Sequence, residues 1–152
     1  MVSFQNDYLQ FVENKLDLIN QNYPTLETQF KFESNDDLNG IVECGMDPFR
    51  FNRVNTNGYH CIGYDENNIQ SYNLDRNEQW AIIAHEIGHK IILYSDIDNV
   101  QNEAQSIQKE IECDKVAIKL GLTDPMRTAL SKLRHNLSDD MYTARINALQ
   151  NA

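Results

Sequence analysis

The run Trp80-Ala-Ile-Ile-Ala-His85-Glu86-Ile-Gly-His89-Lys-Ile-Ile-Leu-Tyr94 constrains the chain more than any other stretch. It reads as an apolar helix interrupted by two histidines and a glutamate. A helix advances about 100° per residue, so His85 and His89 share a face and can direct two imidazole nitrogens at one point. The plainer alternatives are two core histidines that fall four apart by chance, or an exposed helix with a solvated glutamate. Burying three polar groups in a run of Ala, Ile, Leu, Trp and Tyr is costly without a partner, and a metal ion removes that cost. Catalytic zinc takes three protein ligands and leaves a fourth position for water, whose pKa falls to roughly 7. Glu86, beside the first ligand, has the place of a general base. Imidazole donors point to Zn2+; a softer metal would be expected to recruit thiolate, and none is expected here.

A third ligand is expected from the segment Glu110-Ile-Glu112-Cys-Asp114-Lys-Val-Ala117. Glu110 and Asp114 are four apart and share a helix face, whereas Glu112 points well away from it. Glu110 is therefore assigned as the third metal ligand, Asp114 as the acceptor that orients a ligand histidine, and Glu112 as the fallback ligand. Without the paired histidines all three carboxylates would read as solvated surface charge.

The 152 residues are one domain's worth, long enough to bury a core without disulfides, so a single domain over 1–152 is expected. Thirteen Lys and Arg against 23 Asp and Glu give a formal charge of -10, which carries no electrostatic footprint for nucleic acid or an anionic membrane. The longest apolar run is broken by the His/Glu set, so no membrane span is expected. The first residues, Met1-Val-Ser-Phe-Gln-Asn-Asp7, do not read as a signal peptide. Cys44, Cys61 and Cys113 are odd in number and lack CxxC spacing, which points to a reducing, cytoplasmic setting, although a bridge between Cys44 and Cys61 stays open.

Phe4, Tyr8, Phe11, Val12, Leu16 and Ile19 recur at helical spacing and predict an amphipathic helix over 3–20, ended at Asn22 to Pro24. From Thr25 to Tyr72 short apolar pieces alternate with turn clusters, which predicts strands at 29–33, 40–44, 49–54, 59–64 and 69–72 joined by hairpins. The last of these, leading into the metal helix, is a candidate sheet edge for an extended peptide. Asp75 and Glu78 have capping-box spacing and start a helix near Arg76 that runs to about Tyr94. A second helix spans about 101–120, with Gly121 as its C-terminal cap. Two closing helices are expected near 124–135 and 138–150. The fold class is thus α+β: an N-terminal helix, a small twisted, mainly antiparallel sheet, the HExxH helix, a Glu-bearing helix and C-terminal helices.

His85-Glu-x-x-His89 followed by Glu110-x-x-x-Asp114-x-x-Ala117 resembles the gluzincin pattern of the HtpX and CaaX prenyl endopeptidase group, especially its small soluble relatives, the minigluzincins. Ala129-Leu-Ser-Lys-Leu133 and Arg145-Ile146-x-Ala-Leu149 are similar to segments that follow the ligand helix there, so the resemblance covers roughly the C-terminal half. Residues 69–89, ending in Ala-His-Glu-Ile-Gly-His89, also resemble the ImmA/IrrE-type metallopeptidases. The chain lacks the membrane spans of the larger CaaX-type enzymes and the DNA-reading module of some ImmA/IrrE-type proteins. Both resemblances imply a zincin-like fold and zinc-dependent hydrolysis of a peptide or protein substrate. His135 and Arg145 stand loosely where the first group has a His followed by an Arg, at a different interval. Arg145 then reads either as a surface residue of the last helix or as a site residue that holds Asp114 or stabilises an oxyanion; His135 is a further candidate for the latter role. The competing expectation is a non-catalytic or latent protein that keeps the metal structurally, as a binding module or a component of a larger assembly.

Overall fold

The computed structural model describes residues 30–34, 45–56, 59–93 and 95–152. The helix expected over 3–20 and the strand expected at 40–44 lie outside these residues. The chain divides into two compact units, Met1–Ser71 and Tyr72–Ala152. Helix predominates over strand, and the sheet is small, which agrees with an α+β class.

In the first unit, strands β1 (Phe30–Ser34), β2 (Phe49–Thr56) and β3 (Tyr59–Tyr64) form one sheet in the order β1-β3-β2. β2 and β3 pair antiparallel, from Phe49 opposite Tyr64 to Thr56 opposite Tyr59, with a break in register between Asn52 and Asn55. β1 runs parallel to β3, from Phe30 opposite His60 to Ser34 opposite Tyr64, so the sheet is mixed, with one antiparallel and one parallel pair.

The expected strand at 69–72 is instead part of a helix, α1 (Glu66–Ser71). Asp65 explains the difference. Its Oδ1 accepts the Asn68 backbone N–H at 2.9 Å and its carbonyl accepts that of Ile69 at 3.0 Å, so the polar cluster read as a hairpin turn is a helix cap. Asn68 Nδ2 also donates to the carbonyls of Gly45 (3.0 Å) and Asp47 (2.9 Å), which anchors the first turn. A helix offers no free strand edge, so the peptide-pairing role expected at 69–72 has no basis.

The second unit is helical: α2 (Arg76–Ile91), α3 (Glu103–Lys119), α4 (Thr123–Lys132) and α5 (Asp139–Gln150), with 3-10 turns at Asp96–Asp98 and Arg134–Asn136. α2 begins where Asp75 and Glu78 exchange bonds: Asp75 Oδ1 accepts the Glu78 N–H at 2.8 Å, and Glu78 Oε1 accepts the Asp75 N–H at 2.9 Å. The same Glu78 oxygen accepts from Lys132 Nζ at 2.6 Å, and Lys132 also donates to the Asn73 carbonyl at 2.7 Å. A buried capping carboxylate thereby ties the start of α2 to the end of α4. Asn102 caps α3 by accepting the Gln105 N–H at 2.9 Å. That helix ends at Gly121, whose φ of 77° lies in the left-handed region; Leu122 N–H returns to Ala117 O at 2.9 Å and Gly121 N–H to Ile118 O at 3.1 Å, a Schellman closure. Ser138 caps α5 through the Met141 N–H at 3.1 Å.

The core of this unit is made by Ala81, Ile82, Ile83, Ala84 and Ile87 of α2, Val116 and Ala117 of α3, Met126, Ala129 and Leu130 of α4, and Leu149 of α5. α2 packs chiefly on α3, and α3 in turn on α5. No helix among the described residues is long and apolar enough to cross a membrane.

Candidate metal centre

Gly88 sets the distance between the two helices that carry the site. A Cβ there would lie 2.6 Å from Cys113 Cα and 2.8 Å from its carbonyl oxygen, so the two backbones touch at this point. Only a residue without a side chain permits that approach. Glu110 lies three residues before Cys113 on α3, and His85 and His89 flank Gly88 on α2, so the close crossing brings all three side chains together.

His85 Nε2 lies 3.0 Å and His89 Nε2 3.2 Å from the same atom, Glu110 Oε2. The imidazole rings stand edge to face with centroids 5.0 Å apart. Among the described residues, Glu110 Oε2 is a buried oxygen with no hydrogen-bond partner. The two nitrogens thus approach it closely without the alignment of a hydrogen bond, as donor atoms do when they face a common centre. In a tetrahedral zinc site with bonds of about 2.0–2.1 Å, neighbouring donor atoms are about 3.3 Å apart, close to both separations. The donor set and its spacing fit a divalent ion.

A fourth group belongs to the cluster. Cys113, a free and fully buried thiol, joins His85, His89 and Glu110, with one donor atom from each lying within 4.8 Å of all the others. The sequence reading missed it by excluding thiolate from the site. The available signal was its position: three residues after Glu110, on the same helical face.

Behind His85 lies a buried network. Its Nδ1 is 2.6 Å from Asp114 Oδ1, and Arg145 grips the same carboxylate with both arms of its fork, Nε to Oδ2 at 2.9 Å and Nη2 to Oδ1 at 2.7 Å. Arg145 Nη2 also stands 3.2 Å from His85 Nδ1. Asp114 and Arg145 are 1 % and 6 % exposed, so each charge depends on the other for compensation. The arginine expected either at the surface or in the site is buried, and its fork is spent on Asp114.

The electrostatics follow from this packing. Burial and the Arg145 charge alone would lower the pKa of His85, but Asp114 and Glu110 outweigh them and push it up to about 10. Burial would raise Asp114, yet Arg145 and His85 hold it below its ordinary value. Burial would likewise raise Glu110, and the two histidines, His85 foremost, hold it well below the usual carboxylate range. Burial pushes the Cys113 thiol up, with Glu110, Glu86 and Asp114 adding to the effect. In the metal-free protein these surroundings favour a proton on the His85 imidazole and a neutral Cys113 thiol.

The remaining sequence candidates separate cleanly. Glu112 lies outside the donor cluster, where its Oε1 accepts from Lys115 Nζ at 2.6 Å and Gln108 Nε2 at 3.0 Å. Glu110, not Glu112, meets the histidines. Glu86 is half-buried and close enough to influence the charges of Cys113 and Arg145. His135 is exposed and lies outside the cluster, its ring 5.5 Å from that of Tyr72. No protein-family model, curated protein or solved structure matches the chain.

Proposed function

We propose that the unit Tyr72–Ala152 carries a zinc centre of gluzincin type and hydrolyses peptide bonds, with His85, His89 and Glu110 as ligands and Glu86 as general base. The observation that carries this reading is the convergence of two imidazole nitrogens on one buried carboxylate oxygen that has no hydrogen-bond partner. Imidazole, carboxylate and thiol donors together suit zinc better than the hard oxygen-seeking cations. Zinc bound here would supply a Lewis acid that polarises a carbonyl and acidifies water.

The chain's own residues do the rest. Glu86 takes a proton from the attacking water and passes it to the leaving amine as the C–N bond breaks. Asp114, accepting from Nδ1, leaves Nε2 of His85 as the donor to the metal, and Arg145 fixes Asp114 in turn. The role of Arg145 is positioning. A zincin-like fold and a peptide or protein substrate belong to the same reading, as the gluzincin resemblance implies, and the three cysteines without CxxC spacing suit a cytoplasmic setting.

A second reading has an observation of its own. The thiol of Cys113 beside the other donors favours a closed, structural or latent centre, because structural zinc sites fill all four positions with protein atoms. Metal analysis and cleavage of a quenched peptide library, run on the native protein and on Glu86→Gln, separate the two. About one zinc per chain in both, with cleavage by the native protein only, supports the peptidase. Zinc in both with cleavage in neither supports the closed centre, and absence of metal from both refutes either.

A further inference from the structure

We propose that Cys113 is the fourth protein donor of this centre, so that the resting site is closed by the chain's own sulfur. The inference rests on the metal-site reading above and adds to it what occupies the position a water would need.

Four observations converge. The Cys113 sulfur belongs to the group of four donor atoms that lie within 4.8 Å of one another. The residue is fully buried, so the thiol faces the cluster's surroundings rather than solvent. Its backbone is held against Gly88, between the two histidines, which fixes where the side chain starts. The other donors already point inward: His85 is 6 % exposed with its Nε2 on Glu110 Oε2, and that oxygen is buried without a hydrogen bond.

The charges are consistent with this set. Two neutral imidazoles, one carboxylate and one thiolate carry two negative charges, which a divalent cation neutralises. The burial and neighbouring carboxylates that keep the free thiol protonated are overridden once a dication is present, because a coordinating thiol is deprotonated outright. The four donor atoms lie within 4.8 Å of one another, near enough for one ion to be shared among them. With Cys113 as fourth donor, the centre would leave no open position for the water that Glu86 is placed to act on.

Cobalt(II) loading of the full chain tests this by absorption, because thiolate bound to cobalt gives a near-ultraviolet charge-transfer band that nitrogen and oxygen donors do not. The band is expected in the native protein and in the Cys44→Ser/Cys61→Ser double variant, and it should vanish in Cys113→Ser and Cys113→Ala. Zinc affinity should fall in both Cys113 variants at least as far as the roughly 10–100-fold that loss of an orienting partner costs. One equivalent of cobalt bound to the native protein without the band would overturn the proposal and leave the His/His/Glu site standing. A band that survives both Cys113 variants would overturn it equally. Failure of the native protein to bind cobalt or zinc at all would remove the metal site itself, a separate outcome.

Discussion

The two edges of the metal cluster are built differently. On the inner edge His85 is tied to Asp114, and Asp114 to Arg145, through three hydrogen bonds among groups at most 7 % exposed by side chain. On the outer edge His89 and Glu110 retain 17 % and 26 % side-chain exposure and meet through a single 3.2 Å approach. The contrast separates two tasks. The inner edge preorganises one ligand at a cost in desolvation that its own ion pair offsets, whereas the outer edge leaves ligand atoms free to answer to an ion and a substrate. Substitutions on the two edges should therefore fail in different ways.

The largest effect is expected at Arg145. Arg145→Leu leaves Asp114 buried with an imidazole as its main partner, and breaking a buried pair by removing one member costs about 3–5 kcal/mol. Unfolding in chelator should show that loss. Arg145→Lys, which keeps the charge but not the two-armed grip, should recover only part of it. Glu110→Gln on the outer edge should abolish tight metal binding while costing the metal-free fold less than Arg145→Leu does. If Arg145→Leu unfolds no more easily than Glu110→Gln in chelator, the two edges are not energetically distinct.

Gly88→Ala comes next, because it acts on the spacing that both edges share. The added methyl would meet Cys113 Cα at 2.6 Å, backbone that cannot rotate away, so α3 must shift or the variant must carry strain. Overpacking of this kind costs about 1–3 kcal/mol. The expected signature is a lowered Tm together with weakened zinc binding, since a displaced α3 takes Glu110 and Cys113 with it. Unchanged zinc affinity would show that the helix crossing does not set the reach of the ligands.

These contrasts also explain what the sequence disclosed. The start of α2 and the end of α3 were legible because Asp75, Glu78 and Gly121 act within a turn of their own position. Helical periodicity likewise separated Glu110 from Glu112, and the structure puts the first among the histidines and the second on Lys115. The helix at 66–71 was misread because Asp65 and Asn68 suit a turn and a cap equally well; the choice depends on carbonyls at Gly45 and Asp47, about twenty residues away. The Glu78–Lys132 link spans 54 positions and has no local mark. Cys113 was missed for a different reason. A buried cysteine usually packs as a small apolar residue, which outweighed its position three residues after Glu110, and the contact at Gly88 sets it beside the ligands.

The smallest effect expected is a dependence on pH, and it bears on the inner edge. In the metal-free protein the pKa of His85 is raised from 6.5 to about 10. A raised folded-state value stabilises the fold fully below the unfolded pKa and is lost as pH rises through the folded one. The metal-free Tm should therefore decline as pH rises from about 6.5 towards 10. Zinc requires the neutral imidazole, so binding expels the proton that His85 holds, and zinc affinity rises over the same interval. The two trends have opposite signs: chelated protein melts earlier as pH increases, while the Tm gain on adding zinc grows. Melting curves between pH 6 and 8.5, with chelator and with excess zinc, measure both. A flat metal-free Tm together with a pH-independent zinc gain would mean that His85 is neutral before the ion arrives, and that Asp114 and Glu110 do not hold a proton on the inner edge.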